Sequence, residues 1–246
     1  MTPISATIIT LNEEDRIGEA IRALDFCDDI VVVDSGSEDR TREIALEMGA
    51  RVLARTWTGY ADQKNFAARN ARHDWILNVD ADERPGVPLR EEIVRWKLRG
   101  PPHGVTACSM PRLARYLGRW IRHSGWYPDR KVRLYDRRRS RFRGNFVHES
   151  VETDGAIARF ENDLLHFPFR SVEEHHRRIE HYTSLAAREA ESRGLRFSLF
   201  RLVLGPPAYF VRSFLFRAGF LDGRHGLRIA YMGARYVYLR EVRISR

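Results

Sequence analysis

Two aspartates separated by one residue, Asp80 and Asp82, follow the mostly apolar run 75–79 in the stretch Asp80-Ala81-Asp82-Glu83. In extended chain, side chains two apart project to the same side, and carboxylates placed together repel unless a cation lies between or beside them. Hard oxygen donors of this kind suit Mg²⁺ or Mn²⁺, usually shared with substrate phosphates. The plainer reading of a lone Asp-x-Asp is a solvated acidic turn, but the end of a buried strand favours chemistry. A third acid, Asp34, ends the apolar run 30–33 and precedes Ser35-Gly36-Ser37. An acid at such a strand end accepts hydrogen bonds from ribose hydroxyls or a base N–H; the alternative is a cap for the turn that follows. Gly36 permits that turn to be tight. No Gly-x-Gly-x-x-Gly and no Gly-x-x-x-x-Gly-Lys-Ser/Thr occurs, which disfavours a dinucleotide oxidoreductase and a P-loop nucleotidase.

Alternating elements are needed to bring these acids together. Residues 5–10 read as a buried strand, with Asn12 capping a helix whose apolar stripe is Ile17, Ala20, Ile21 and Leu24. Residues 30–33 give a second strand, and a helix follows with Ile44, Ala45 and Met48 on one face and Gly49 past its end. Residues 51–54, 60–71 and 75–79 then read as strand, helix and strand. This order predicts a parallel sheet with helices on both faces, and ligands in such sheets bind beyond the carboxyl ends of the strands. Thr10-Leu11-Asn12-Glu13, the Asp34 turn and the Asp80 turn are expected along one rim.

The pattern changes after Pro101-Pro102. Residues 104–117 and 130–136 read as strands around a Gly/Trp/Pro-rich loop, and residues 171–193 as a helix opened by a Ser171/Glu174 capping box. The expected organisation is therefore an α/β half over 1–100, a second half over 101–170, and a helical extension over 171–246. Trp126, Arg130 and Arg133 are candidates for a ligand pocket, since an aromatic ring stacks on a flat ligand face and arginines suit phosphate. A packed hairpin with solvated arginines is the alternative. His166, His175, His176 and His181 have no helical metal spacing among them.

The net charge of +9 is unevenly spread: residues 1–110 hold 14 basic and 19 acidic residues, and residues 111–246 hold 28 and 14. Only Lys64, Lys97 and Lys131 are lysines, so all but one of the 28 basic residues of that half are arginine, well shaped for phosphate. Residues 195–246 carry ten aromatics, eleven basic residues (ten arginines and His225) and two acids, Asp222 and Glu241. The apolar run 202–220 contains Pro206, Pro207, Arg212 and Arg217, which argues against a membrane span. An interfacial segment on an anionic membrane and a pair of helices packed on the core are both compatible with it. The run Arg137-Arg138-Arg139-Ser140-Arg141-Phe142-Arg143 reads as a solvated face, as a contact for lipid phosphate, or as a nucleic-acid contact. Two cysteines, Cys27 and Cys108, make neither a disulfide framework nor a zinc site. The first residues show neither a basic n-region nor an apolar h-region, so no secretory signal is expected there.

Thr-Leu-Asn-Glu-Glu after the first strand, Val-Val-Val-Asp-Ser-Gly-Ser-x-Asp after the second and Trp-Ile-Leu-Asn-Val-Asp-Ala-Asp-Glu at the fourth resemble family 2 glycosyltransferases of the GT-A fold. Gly59-Tyr60-Ala61-Asp62-Gln63-Lys64-Asn65 and Gly219-Phe220-Leu221-Asp222-Gly223-Arg224-x-Gly226 are similar to the bacterial subgroup containing the lipopolysaccharide inner-core β-1,4-glucosyltransferase. The resemblance implies an α/β GT-A (Rossmann-like) domain with its nucleotide-sugar-binding half over 1–100 and its acceptor-binding half over 101–170, followed by a mainly helical, basic and aromatic membrane-associating extension over 171–246; Trp126, Arg130 and Arg133 would then shape the acceptor pocket. It implies an inverting transfer of a hexose, glucose by the subgroup, from a UDP-sugar to a lipid-linked acceptor such as lipopolysaccharide core. The enzyme would depend on a divalent metal (Mg²⁺ or Mn²⁺) and sit at the cytoplasmic face of the bacterial inner membrane, with an anionic membrane surface as partner. Polyprenyl phosphate, capsule or protein are alternative acceptors. Thr10, Leu11, Asn12, Glu13, Asp34 and Gly36 would hold the nucleotide, with Gln63, Lys64, Asp80 and Ala81 near it or its phosphates, and Asp82 would touch the metal beside Asp80. Inversion needs one base to take the acceptor proton. No Glu-Asp pair occurs between residues 100 and 150, so Glu149 of His148-Glu149 is the candidate, its alternative being a surface acid paired with the arginine run. His148 is placed with the acceptor, or else with the donor phosphates or metal. A nucleic-acid-binding protein is the reading from another class; it leaves the acidic strand ends unexplained, and no nucleic acid is expected as partner.

Overall fold

The computed structural model describes residues 1–144 and 149–244. In chain order the elements are β1 Ile4–Thr10, α1 Glu14–Arg22, β2 Asp29–Asp34, α2 Thr41–Glu47, β3 Arg51–Ala54, α3 Tyr60–Arg69, β4 Trp75–Asp80, β5 Glu83–Pro85, α4 Val87–Arg99, β6 Val105–Tyr116, β7 Arg119–Trp120, β8 Asp129–Asp136, β9 Ser140–Arg143, β10 Ser150–Thr153, β11 Ala156–Arg159, β12 Leu164–His166, α5 Val172–Ser192, α6 Leu199–Val211 and α7 Gly223–Arg243. The chain divides into two compact units: Met1–Arg112 with Asp129–His166, and Leu113–Pro128 with Phe167–Arg246.

The first unit is built on a sheet ordered β3-β2-β1-β4-β8-β6-β12-β5. Strands β1 to β4 pair in parallel, as the alternating pattern predicts. Beyond β4 the sheet turns antiparallel, because β8 pairs with β4 and β6 with β8 in that sense. The sheet is therefore mixed rather than wholly parallel. Its central strands β1, β2 and β4 are almost wholly buried because helices cover both faces. Ile4, Ala6 and Ile8 pack with Ile17, Ala20, Ile21 and Leu24 of the first helical layer, joined by Leu89 and Ile93 of α4. Ile9, Val31, Val33 and Ile76 point the other way, onto Ala67 and Ala68 of α3. The period of two along each strand thus feeds two separate cores.

Asn12 does not cap α1: the cap position is Glu13, with no side-chain cap bond. Asn12 instead takes a left-handed backbone (φ 54°), and its Oδ1 accepts from Glu38 N at 2.9 Å. Ser37 Oγ and Thr41 Oγ1 accept from the N–H groups of Asn12 and Glu13 in return. These bonds fasten the loop after β1 to the loop after β2.

Four of the five arginines in the run 137–143 are paired with the unit's own acids, and Arg141 stands exposed. Arg137 and Arg138 meet Asp74, Arg138 also meets Asp136, Arg139 meets Asp154 and Arg143 meets Glu152. A surface so paired has little excess positive potential to offer a polyanion.

In the second unit, Ser171 caps α5 by accepting from Glu174 N, as expected. Tyr116, Ile121 and Ile229 form a small core with Trp126 and Phe169 packed around it. Asp222 is buried and accepts from His123 N at 3.0 Å and meets its Nδ1 at 3.1 Å. Gly226 is a packing requirement: a Cβ there would come within 1.8 Å of the Gly219 carbonyl oxygen.

His175 is buried in the same core, bonded to the Tyr116 hydroxyl at 2.9 Å and stacked on Phe169. Burial, reinforced by the charges of His176 and Arg178, lowers its pKa from 6.5 to about 4. The unfolded chain therefore takes up this proton at higher pH than the folded one. The contribution is complete above pH 6.5 and is lost as pH falls from 6.5 towards 4. It amounts to about 3 kcal/mol. Urea midpoints between pH 7 and pH 4 should show this slope in the wild type and lack that part of it in His175→Phe; identical slopes would remove His175 as its source.

Candidate active site

The strand register sets the rim. Thr10 pairs with Asp34 across β1 and β2, and Ile9 with Asp80 across β1 and β4. The three polar strand ends therefore lie side by side, at the edge where open α/β sheets bind ligands.

On the β2 side, Asp34 is fully buried and spends its carboxylate on its own turn. It accepts from Gly36 N at 3.0 Å, from Ser37 N at 2.9 Å and from the Ser37 hydroxyl. Gly36 has φ 100°, a left-handed conformation that a side chain would strain. Around Ser35 two buried polar atoms have no hydrogen-bond partner: Thr10 Oγ1 and Gln63 Oε1. Gln63 is held by its other end, Nε2, which donates to Ser35 Oγ at 3.1 Å and to the Arg55 carbonyl at 3.2 Å. Buried polar atoms are rarely left unsatisfied, so this notch is suited to a polar ligand. Leu11 stands exposed beside it.

On the β4 side, Asp80 and Asp82 do not share one face of an extended strand. The chain leaves β4 at Asp80 and turns through Ala81 and Asp82 before β5. Asp80 faces two cations: Lys64 Nζ lies 2.9 Å from Oδ1 and the Arg133 guanidinium 2.7 Å from Oδ2. Burial opposes its charge, but Arg133 and Lys64 outweigh it and hold the carboxyl far below the usual carboxylate range. Asp82 instead lies 3.4 Å from His166 Nε2, at the end of β12.

Glu83 completes the network. It is fully buried, its Oε2 accepts from Asp80 N at 3.1 Å, and its Oε1 meets Arg133 at 2.6 Å and Arg112 at 3.0 Å. Arg133, expected with the acceptor, is only 5% exposed and is committed to Asn78, Asp80 and Glu83. Its guanidinium is held protonated above the ordinary arginine value by Asp80 and Glu83, against the cost of burial. Arg130 is bonded to the Phe160 carbonyl and to Glu161. Trp126 lies in the second unit, packed edge-on to Tyr116. His148 falls outside the described residues.

Lys64 also reaches Glu149: Nζ is 3.0 Å from Oε1. The ammonium is 99% buried and shared between Asp80 and Glu149, so it has little left for a phosphate. Glu149 is therefore paired with Lys64, not with the arginine run. The residues that sequence reasoning missed are Glu83, Arg112, Asn78 and His166. Glu83 stood in the motif without a role, and its burial was the missing information. His166 comes 84 positions after Asp82, a separation with no local signature.

The sequence model of Glycosyl transferase family 2 matches residues 5–160. The chain belongs to this family. The family 2 chain is 32% identical over 259 residues to the lipopolysaccharide core biosynthesis glycosyltransferase LpsC of Rhizobium meliloti (strain 1021), covering 98% of this chain and 92% of that one. It is 31% identical to an uncharacterized glycosyltransferase of Rickettsia typhi, over 99% of this chain and 87% of that one. Among solved structures it resembles glucosyl-3-phosphoglycerate synthase from Mycobacterium tuberculosis in complex with Mn²⁺, UDP and glucosyl-3-phosphoglycerate, with a TM-score of 0.51, 19% identity and coverage of 80% and 82% of the two chains. The fold is thus the GT-A fold with a helical C-terminal part, and this family 2 member is a glycosyltransferase.

Proposed function

We propose that this glycosyltransferase moves a hexose, with inversion, from a UDP-sugar to a lipid-linked acceptor of the lipopolysaccharide-core type, at the cytoplasmic face of a bacterial inner membrane. The observation that carries the donor side is the notch around Ser35, with unpartnered Thr10 Oγ1 and Gln63 Oε1, on the same rim as the Asp80–Asp82 turn. The likeness to LpsC supports the acceptor class, and the UDP and Mn²⁺ of the structural relative agree with the donor.

Asp82 and His166 would hold the divalent metal. A carboxylate oxygen and an imidazole nitrogen 3.4 Å apart are a suitable donor pair. Among the described residues no group of three or more His, Cys, Asp or Glu side chains could hold a metal, so diphosphate oxygens would complete the coordination. When bound, the metal supplies Lewis-acid stabilisation of the charge that develops on the leaving diphosphate. Asp80, held by Lys64 and Arg133, shapes the turn that presents Asp82.

Glu149 acts as the base. As the acceptor oxygen bonds to the anomeric carbon, the bond to the diphosphate breaks and its electron pair leaves with UDP. The hydroxyl proton passes to Glu149. Lys64 holds that carboxylate in place through its 3.0 Å contact.

Calorimetric titration of UDP with and without Mn²⁺ tests the donor site: binding that requires Mn²⁺ is expected, and no binding under either condition would overturn it. Glu149→Gln should lower transfer by about 10²-fold or more while leaving UDP affinity unchanged. An unchanged rate would move the base elsewhere.

A further inference from the structure

The helix formed by α6 and the π-helical turn Arg212–Phe216 is apolar on both sides. Its inner side meets α7 at close range: a Cβ on Gly205 would come 3.0 Å from Val237, and one on Gly233 would come 2.0 Å from the Tyr209 ring. Its outer side carries Phe200, Val203, Leu204, Val211, Leu215 and Phe216, at helical spacing and exposed, Phe200 by 73% and Phe216 by 83%. An apolar stripe of this extent on a surface marks a binding face. Leu199–Phe216 is 18 residues long and apolar enough to cross a membrane by length and composition, and almost none of it is buried.

The charges around it select the occupant. Residues 195–244 contain two acids, and both are buried: Asp222 against His123, and Glu241 against Arg201 and Ser198 N. Every exposed charged side chain of the segment is thus cationic, with Arg212, Arg217, Arg224 and Arg228 among them. An apolar stripe flanked by cations alone matches an anionic lipid surface.

The packing decides between crossing and lying flat. Were α6 to span the hydrocarbon, α7 would be drawn in with it, carrying Arg235, Arg240, Glu241 and Arg243. Charged groups at that depth are costly. Pro206 and Pro207 inside α6 also withdraw two backbone donors, leaving carbonyls of the preceding turn to be hydrated. Both features suit the headgroup boundary rather than the bilayer centre.

We infer that Leu199–Phe216 is an in-plane anchor, its outer stripe sunk into the acyl boundary of an anionic bilayer and the neighbouring arginines at the lipid phosphates. The inference refines the membrane partner and rests on the lipid-linked reading of the acceptor only for its choice of surface. It is tested with the full chain and vesicles of phosphatidylcholine, alone and with phosphatidylglycerol added. Stronger sedimentation with the anionic vesicles is expected, with Phe200→Ser/Phe216→Ser lowering the partition coefficient on the order of a hundredfold. Unchanged thermal melting of that variant shows that the fold is kept. In a separate Phe216→Trp variant, brominated lipid should quench the new fluorophore. Equal pelleting of wild type and the serine variant, or an unquenched Phe216→Trp signal, would overturn the anchor. So would a dimer that the serine variant dissociates while wild type ignores both vesicles, since the stripe would then belong to a second copy. The vesicles hold neither donor nor glycan, so these results are read apart from UDP binding and transfer: an anchor that fails while transfer to a lipid-linked acceptor succeeds leaves the function standing, and the reverse holds too.

Discussion

Asp82→Ala is expected to abolish Mn²⁺-dependent UDP binding and to lower glycosyl transfer by about 10²–10³-fold, the scale on which removal of one preorganised stabilising group slows group transfer. Asp82 is singled out over Asp80 by its surroundings. Asp80 has a cation on each oxygen, Lys64 at 2.9 Å and Arg133 at 2.7 Å. A metal approaching it must displace one of them. Asp82 has His166 Nε2 at 3.4 Å, which adds a donor instead of competing for one. His166→Ala should therefore weaken Mn²⁺ binding in parallel. Calorimetry with UDP and Mn²⁺ separates the two aspartates, and normal Mn²⁺-dependent binding by Asp82→Ala would sink the metal assignment.

Arg133→Leu is expected to cost about 3–5 kcal/mol of folding stability, because it strands buried carboxylates whose charge it had balanced. Glu83 is fully buried and Asp80 partly so, and both meet the same guanidinium. Arg112 remains on Glu83 at 3.0 Å, which limits the damage without cancelling it. Adding Glu83→Gln to Arg133→Leu removes one stranded charge. The double variant should be more stable than the sum of the two single losses by about 1–3 kcal/mol. Chemical denaturation of the four proteins measures this directly. A loss below about 1 kcal/mol for Arg133→Leu would mean that the network is hydrated and worth no more than a surface pair.

These two residues mark how far the chain could be read without its structure. The strand ends were legible because a run such as Val31-Val32-Val33 before Asp34 leaves one arrangement for a buried strand followed by a polar turn. The structure agrees, with Thr10, Asp34 and Asp80 in adjacent registers. The family was legible for the same reason, since its motifs are local, and residues 5–160 carry the match. The capping of α5 by Ser171 depends on a contact only three residues away, so Ser171-x-x-Glu174 carries it in the local sequence.

What the sequence determined is therefore the local pattern: alternating strands and helices, the acids at strand ends, and a basic, aromatic C-terminal segment poor in acids. Period and spacing encode these, because backbone geometry acts over a few residues. Tertiary structure alone decided which charges meet. It set Lys64 between Asp80 and Glu149, brought His166 to Asp82, buried Glu83 beneath Arg133, and tied most of the arginine run to its own acids. It also turned the apolar stripe of α6 outward. Electrostatic pairing and burial depend on approach in space between residues tens of positions apart, and no spacing along the chain records that approach.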